Sequence, residues 1–431
     1  MNDVLEQNLA VLTQRWPAVA ARLDAEPLEA LDGEFVEGSQ VTLSIRGIQL
    51  TSRHDREAEA RQQADTFPPE AAELHVYGPA LGDLPRVLLG REPLRRLRVY
   101  ILNGALFAML LEAMDHSDWL ADPRVELAYA DSEGEIRLPF FAMPSELVLA
   151  DVNNARIRDR LISEMHLAFN NQDFSPSDPA LQQRIEANAP YLAADADVST
   201  LFGSLAGREV YLIATGPSLE RHFEALREAA RQVPRPLFIC VDTAYRPLHA
   251  QGIAPDVVVS IDQRIGVQHL PQAPCAAPTL VYMPLLAPQV LAHWHGRRLA
   301  AYSTSPVYQS AAARWPHTAL HTGGSVIHPA LDLAVRMGAA RVTLFGADFA
   351  FPGGKTHAGW NDGELGAPVA NARHWVLDGH GRQVRTQLNF RSYLIEVERY
   401  IAAHPEVKFF NTSRSGAMIA GTTFDERFAR D

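Results

Sequence analysis

Seven largely apolar runs in the second half of the chain constrain its fold more than any other feature. They are Glu209–Ala214, Leu237–Val241, Val257–Ile261, Leu280–Met283, Leu299–Tyr302, Val342–Gly346 and Lys408–Phe410. Several are apolar throughout, without the alternation of a strand that has one wet face, and strands buried on both faces read this way. Helical stretches fall between them. Right-handed crossovers then give a parallel, doubly wound sheet, which binds ligands in the crevice beyond the carboxyl ends of its strands. The expected class is α/β, with a Rossmann-like sheet in the second half.

The first half predicts a smaller α/β domain. Leu5, Leu9, Leu12, Trp16 and Val19 give residues 1–24 a helical period, Val41–Ile45 alternates as a strand does, and His54–Asp65 is a charged helix without an apolar stripe. From about Ala71 the rhythm is strand (Leu74–Tyr77), turn (Gly78–Gly82), helix (Leu84–Leu89), strand (Leu97–Leu102), helix (Leu106–Met114) and strand (Val125–Ala130). A length of 431 residues fits two to three domains. The expected organisation is an N-terminal α/β domain at 1–150, a helical connector at 151–200 broken by Pro176 and Pro179, a Rossmann-like domain at 201–424 and a tail at 425–431. No internal repeat stands out.

Composition narrows the function classes. A net charge of -12 opposes a nucleic-acid partner, which needs a concentrated basic face, but leaves room for a local pocket for one nucleotide. The two cysteines, Cys240 and Cys275, have no metal-ligand spacing and read as buried thiols of a reducing compartment. Met1–Leu23 carries Asp3, Glu6, Arg15 and Arg22 and has no export core. The most apolar stretch, Tyr100–Met114, is short for a membrane span and is broken by Asn103 and Glu112. A cytoplasmic protein without a membrane span is expected.

The candidate chemistry lies at strand ends. Val210–Ala214 runs into Thr215-Gly216-Pro217-Ser218 and a helix. Gly216 permits close backbone approach, Pro217 suits a helix start, and Ser218 can cap a helix whose free N–H groups suit a phosphate. An ordinary strand–helix turn would read the same way. Asp242 and Asp262 end two further strands and are positioned to bind a ribose or sugar hydroxyl, a metal, or a helix start. Thr322-Gly323-Gly324-Ser325 precedes a helix, Val326–Met337, and forms a second phosphate-friendly nest. Asp348 repeats the strand-end placement. A glycine-rich loop follows it, in which Lys355 could neutralise phosphate and His357 could act as a general base. His328 and His374 are weaker candidates.

In combination these segments resemble the motility-associated factor (Maf) proteins. The blocks are Ala214–Leu219, Ser260-Ile261-Asp262, Gly323-Gly324-Ser325 with its helix to Gly338, Gly346–Ala350, Thr356-His357-Ala358, Gly379-His380-Gly381 with Val384 and Thr386, Phe410–Ser413 and Gly416–Thr422. Residues 71–130 resemble the domain that precedes them in that family, except that Leu102-Asn103 stands where an acidic residue is frequent. The resemblance implies a bacterial glycosyltransferase with a sialyltransferase-like core. It would move a nonulosonic acid (pseudaminic or legionaminic) from a CMP-sugar to Ser or Thr of flagellin or a related acceptor, with no cofactor required. The chain stops soon after Gly421-Thr422, where many Maf proteins continue into a helical domain.

On this resemblance Thr215–Ser218 and Thr322–Ser325 would hold the nucleotide and phosphate. Asp242, Asp262 or Asp348 would bind hydroxyls, Lys355 would stabilise leaving-group charge, and His357 would deprotonate the acceptor. An archaeal hydroxymethylpterin pyrophosphokinase (MptE-like) resembles the same core and would need ATP and Mg²⁺, with the three aspartates as ligands. A non-catalytic nucleotide-sugar-binding or flagellar assembly protein is a third alternative.

Overall fold

In a computed structural model, residues 3–26, 31–170, 175–271 and 277–429 are described, with the backbone alone for 166–170. The chain divides into two units, Met1–Met165 and His166–Asp431. Cys275 lies outside the described residues, and Cys240 is fully buried, which pushes its thiol well above the usual range.

The first unit has two sheets. β1 (Gly33–Val36), β2 (Thr42–Ile45) and β3 (Ile48–Gln49) form an antiparallel meander. The alternation predicted around β2 does not appear as alternating burial, because all four of its residues are buried in the middle strand. β4 (Glu73–Tyr77), β5 (Arg96–Ile101), β6 (Val125–Tyr129) and β7 (Phe140–Ala142) form a parallel sheet in the order β6-β5-β4-β7. The short β7 was not anticipated.

The second unit is built on a nine-stranded parallel sheet. Its strands are β8 (Ala196–Asp197), β9 (Glu209–Ile213), β10 (Leu237–Val241), β11 (Val257–Ser260), β12 (Thr279–Tyr282), β13 (Arg298–Ala300) and β14 (Arg341–Phe345). An antiparallel hairpin, β15 (His374–Leu377) and β16 (Gln383–Thr386), branches off before β17 (Lys408–Asn411) and β18 (Thr423–Phe424) complete it. The order is β18-β17-β14-β9-β10-β11-β12-β13-β8. Strands step outward from β9 to β13 and then resume on the other side of β9 at β14. With right-handed crossovers the two runs carry their helices on opposite faces. The doubly wound α/β architecture follows, with its reversal of strand order between β9 and β14.

Residues 151–200 are shared between the units. Ile157 and Leu161, on the helix Ala155–Asn170, pack in the first unit's core. Ala196–Asp197 is an edge strand of the large sheet. The connector is broken as expected: one helix ends at Asn170, Pro176 lies before the next, and Pro179 is the first residue of the helix Pro179–Ala187. Residues 425–429 are equally integrated: Phe428 packs against Phe345 at 5.0 Å and Tyr211 at 5.8 Å between ring centroids. Tyr211, Phe238 and Phe345 are fully buried around the centre of the sheet. Burying each such side chain contributes roughly 2–3 kcal/mol. No helix among the described residues is long and apolar enough to cross a membrane.

Candidate functional site

Backbone pairing continues past the strands at the reversal point. The Ala214 N–H donates to Phe345 O (2.8 Å) and the Gly216 N–H to Gly346 O (2.7 Å). This approach excludes a side chain at Gly216. A Cβ there would lie 2.4 Å from Gly346 O and 2.5 Å from Asp348 Oδ2. Pro217 opens a short 3₁₀ helix, Pro217–His222. The Ser218 N–H donates to Asp348 Oδ2 at 2.7 Å, so the acceptor at this turn is the protein's own buried carboxylate. The Ser218 hydroxyl is buried and has no hydrogen-bond partner among the described residues.

The next strand ends bring a second carboxyl. Asp242 is buried at the end of β10 and accepts hydrogen bonds from the Ser260 hydroxyl (2.9 Å) and the Thr243 N–H (2.8 Å). Burial outweighs these bonds, with the nearby charge of Asp262 adding to it, and pushes the carboxyl up to about 7. Thr243 Oγ1 lies 2.5 Å from Thr215 Oγ1, which ties the loops after β9 and β10 together. Asp262 is half-exposed and paired with Arg264 at 2.7 Å.

The loop after β14 is laced over these ends. The Ala358 N–H donates to Thr215 O (2.8 Å), and the Trp360 indole N–H donates to Thr243 O (2.9 Å). The indole stacks with His269, at 5.3 Å between ring centroids, and the Arg246 guanidinium lies over it at 4.3 Å. Glu220 accepts from Lys355 Nζ (2.5 Å) and from the Gly359 N–H (2.8 Å). Gly353, Gly354 and Gly359 have φ of 64°, 72° and 70°, a left-handed path that side chains disfavour. Burial pushes the His357 imidazole down to about 4. Its Nδ1 and the Thr356 hydroxyl are buried with no partner among the described residues.

The Thr322–Ser325 turn is built differently from expectation. The Ser325 N–H is taken by His328 Nδ1 (3.2 Å), whose other ring nitrogen faces Tyr393 O (3.0 Å). Its nearest donor is thus committed to a local side chain, and a nest open to phosphate is not what stands there. Gly323 and Gly324 press against Glu396 and Tyr393 of the helix Leu388–Ala403. Thr322 is half-buried beside them. The contacts continue from Tyr393 to Phe390 (6.1 Å) and from Phe390 to His357 (6.3 Å). The charges of Arg264 and Asp262 also act on the Tyr393 phenol, which burial pushes up. His374 is beside Arg391 at 3.4 Å, in the hairpin, where it pairs with Thr386.

Thr215, Gly216, Pro217, Ser218, Asp242, Asp348, Lys355 and His357 therefore come together at the carboxyl ends of β9, β10 and β14. Thr322–Ser325 and Asp262 adjoin through Tyr393. Three roles change on this geometry. Asp348 is committed to a backbone N–H, Lys355 is neutralised by Glu220, and the Ser325 N–H is not open. Nor do three His, Cys, Asp or Glu side chains group as a metal-holding set among the described residues. Asp242, Asp262 and Asp348 instead bond separately to Ser260, Arg264 and Ser218. Residues overlooked in the sequence include Thr243 and Glu220, each next to a singled-out residue, and Trp360 and Tyr393, which carry no local signal. Gly416, part of a family-like block but given no role, faces the site as well, since a Cβ there would lie 2.6 Å from Asp348 Oδ1.

Residues 183–354 match the family model described as 6-hydroxymethylpterin diphosphokinase MptE-like. No curated protein matches the chain. Among solved structures, that of MAf glycosyltransferase from Magnetospirillum magneticum AMB-1 is similar over 99% of this chain and 75% of its own, at 15% identity and a TM-score of 0.47.

Proposed function

We propose that the chain is a Maf-type glycosyltransferase that moves a nonulosonic acid from a CMP-sugar to a hydroxyl of flagellin or a related protein acceptor in the bacterial cytoplasm. The observation that carries this reading is a set of three buried polar atoms without partners among the described residues: Ser218 Oγ, Thr356 Oγ1 and His357 Nδ1. They lie on two loops laced together over the sheet's reversal point, where mononucleotides bind in open α/β sheets. Buried polar groups are ordinarily satisfied, and a ligand's phosphate and hydroxyl oxygens would satisfy these. The sequence blocks shared with Maf proteins supply the substrate class.

In this reading the Thr215–Ser218 turn and Thr356 hold the phosphate. Lys355 moves from Glu220 to the leaving group and stabilises its growing charge. Asp242 and Asp262 bind hydroxyls of the ribose or sugar. His357 takes the acceptor proton. CMP is a good leaving group, so no cofactor is needed.

Replacing His357 with alanine is expected to lower turnover by about two or more orders of magnitude. Because burial holds the imidazole near 4, it stays neutral and able to accept a proton down to about that pH. The acidic limb of turnover is expected there, well below the usual histidine range near 6.5. A limb near 6.5 contradicts the burial of the imidazole, and unchanged turnover in the alanine variant removes His357 from the reaction.

A second reading is favoured by the family model over 183–354: an ATP- and Mg²⁺-dependent pyrophosphokinase. It predicts that ATP with Mg²⁺ raises the melting temperature and that CMP does not. The first reading predicts the reverse.

A further inference from the structure

The two units use one strand-end construction twice. Each sheet runs outward through three successive strands, β4-β5-β6 and β9-β10-β11, and places a later parallel strand on the other side of the first, β7 beside β4 and β14 beside β9. After β4 stands Gly78-Pro79-Ala80-Leu81, and after β9 stands Gly216-Pro217-Ser218-Leu219. In both, the N–H of the residue after proline donates to a carboxylate from across the reversal. Ala80 donates to Glu146 Oε1 at 2.5 Å, and Ser218 to Asp348 Oδ2 at 2.7 Å. Both glycines are forced by the same carboxylate. A Cβ at Gly78 would lie 2.8 Å from the Glu146 side chain, and one at Gly216 2.5 Å from Asp348 Oδ2. At the end of the second strand, Asn103 corresponds to Asp242, and each stands at a helix start.

The copies differ in what is left over. In the second unit Gly216 is half-exposed, the Ser218 hydroxyl is without a partner among the described residues, and a carboxyl stands at position 242. In the first unit Gly78–Leu81 is wholly buried, and Ala80 supplies no hydroxyl. The Asn103 amide is spent on the Leu106 N–H (3.0 Å) and on Leu149 O (2.6 Å). The Gly104 N–H faces Asp151 Oδ2 at 3.4 Å, and Glu26 and the Tyr129 hydroxyl fill the space beside Gly104. A carboxylate takes the turn's N–H in both copies; in the first unit the helix start after β5 is also filled by the unit's own acids, Asp151 and Glu26.

We propose that Asp348 and Glu146 are the same positioning residue in two copies of one module, each clasping its Gly-Pro turn. The copy in Met1–Met165 is closed to ligands, and the chain takes one anionic ligand, at β9 and β14. The last clause rests on the proposed function. The clasp itself does not, since it is read from the unliganded turns. It makes Asp348 a residue that shapes the ligand turn through the Ser218 N–H, in place of a group that touches substrate.

The test combines hydrogen-exchange mass spectrometry with calorimetric titration of CMP on the full chain. Asp348→Ala is expected to raise exchange across 215–220 and weaken CMP binding at least about tenfold, a loss of one charge-assisted hydrogen bond. Asp348→Asn, whose amide oxygen still accepts the Ser218 N–H, restores the protection and recovers most of the affinity. Glu146→Ala raises exchange across 78–82 and leaves CMP affinity unchanged; Glu146→Gln keeps the acceptor, and its exchange across 78–82 and its CMP affinity stay as in wild type. Saturating CMP protects 215–220 and leaves 78–82 as it was, with one CMP per chain. Two CMP per chain, or protection of 78–82 by CMP or inorganic phosphate, overturns the closed copy. An asparagine variant as impaired as the alanine variant overturns the clasp. Absence of any CMP binding removes the nucleotide reading of the crevice, while the exchange of the unliganded variants still decides the clasp.

Discussion

Gly216→Ala is expected to destabilise the His166–Asp431 unit by about 2 kcal/mol and to reduce CMP affinity at least about tenfold. The backbone at Gly216 has φ of -59°, which any residue adopts, so the effect is steric. The added methyl group would lie 2.4 Å from the Gly346 carbonyl oxygen and 2.5 Å from Asp348 Oδ2. Neither atom is the far end of a flexible side chain free to swing aside. The first belongs to the backbone that accepts the Gly216 N–H, and the second holds the Ser218 N–H. Relief therefore separates the ends of β9 and β14 and opens the turn where ligand is proposed to sit. Gly366→Ala is the control. Nothing lies within 4 Å of its Cβ position, and its stability is expected within about 0.5 kcal/mol of wild type. Chemical denaturation and CMP titration of both variants check this. A Gly216→Ala protein that matches the control in both would show that the strand ends are not in close contact.

The second large effect is a pH dependence that Asp242→Asn removes. Burial raises the folded carboxyl to about 7, above its usual value of 3.8. A raised carboxyl favours the protonated form in the folded chain, so its stabilising contribution is fully present below about pH 4. It is lost as pH rises, because the unfolded chain ionises first, and the loss is complete once pH passes about 7. The shift corresponds to about 4 kcal/mol between these limits. Asparagine is uncharged throughout and keeps an oxygen for the Thr243 N–H, while the Ser260 hydroxyl can turn to accept from its amide. The variant is therefore expected to be less stable than, or equal to, wild type at pH 4.5 and several kcal/mol more stable at pH 8. Other titrating groups are common to both proteins and cancel in the difference. Urea unfolding at the two pH values measures it, and an unchanged gap would mean that Asp242 is not held neutral by its surroundings.

What could be read from the amino-acid order depended on where the decisive contacts lie along the chain. β10 and β11 were legible because Leu237–Val241 and Val257–Ser260 are buried nearly throughout and apolar nearly throughout. β7, β8 and β18 are two or three residues long, too short for any period to register. The helix Leu388–Ala403 was missed because its buried face carries charges. Arg391 donates to Trp375 O, and Glu398 accepts the Ala420 N–H, so a helix packed on one side reads as mixed.

The same distinction divides the site. Gly216, Ser218 and Asp348 were legible as strand-end residues, but the bond between Ser218 and Asp348 spans 130 positions and left no local trace. The pairing of Lys355 with Glu220 is hidden for the same reason. The loss of the Ser325 N–H to His328, three residues on, had a local signal that the glycines before it outweighed. The two Gly-Pro-x-Leu turns, at 78–81 and 216–219, were not read as a repeat in the sequence. Their meaning depended on finding Glu146 and Asp348 in matching places.

The central claim is that the loops after β9, β10 and β14 form one crevice for a cytidine monophosphate group. Calorimetric titration of CMP, with CDP, UDP and ATP plus Mg²⁺ as competitors, tests it most directly when repeated on Gly216→Ala. The account predicts one CMP per chain, tighter binding than for the other nucleotides, and loss of the heat signal in the variant. Preference for ATP with Mg²⁺, or CMP binding that Gly216→Ala leaves intact, would contradict it.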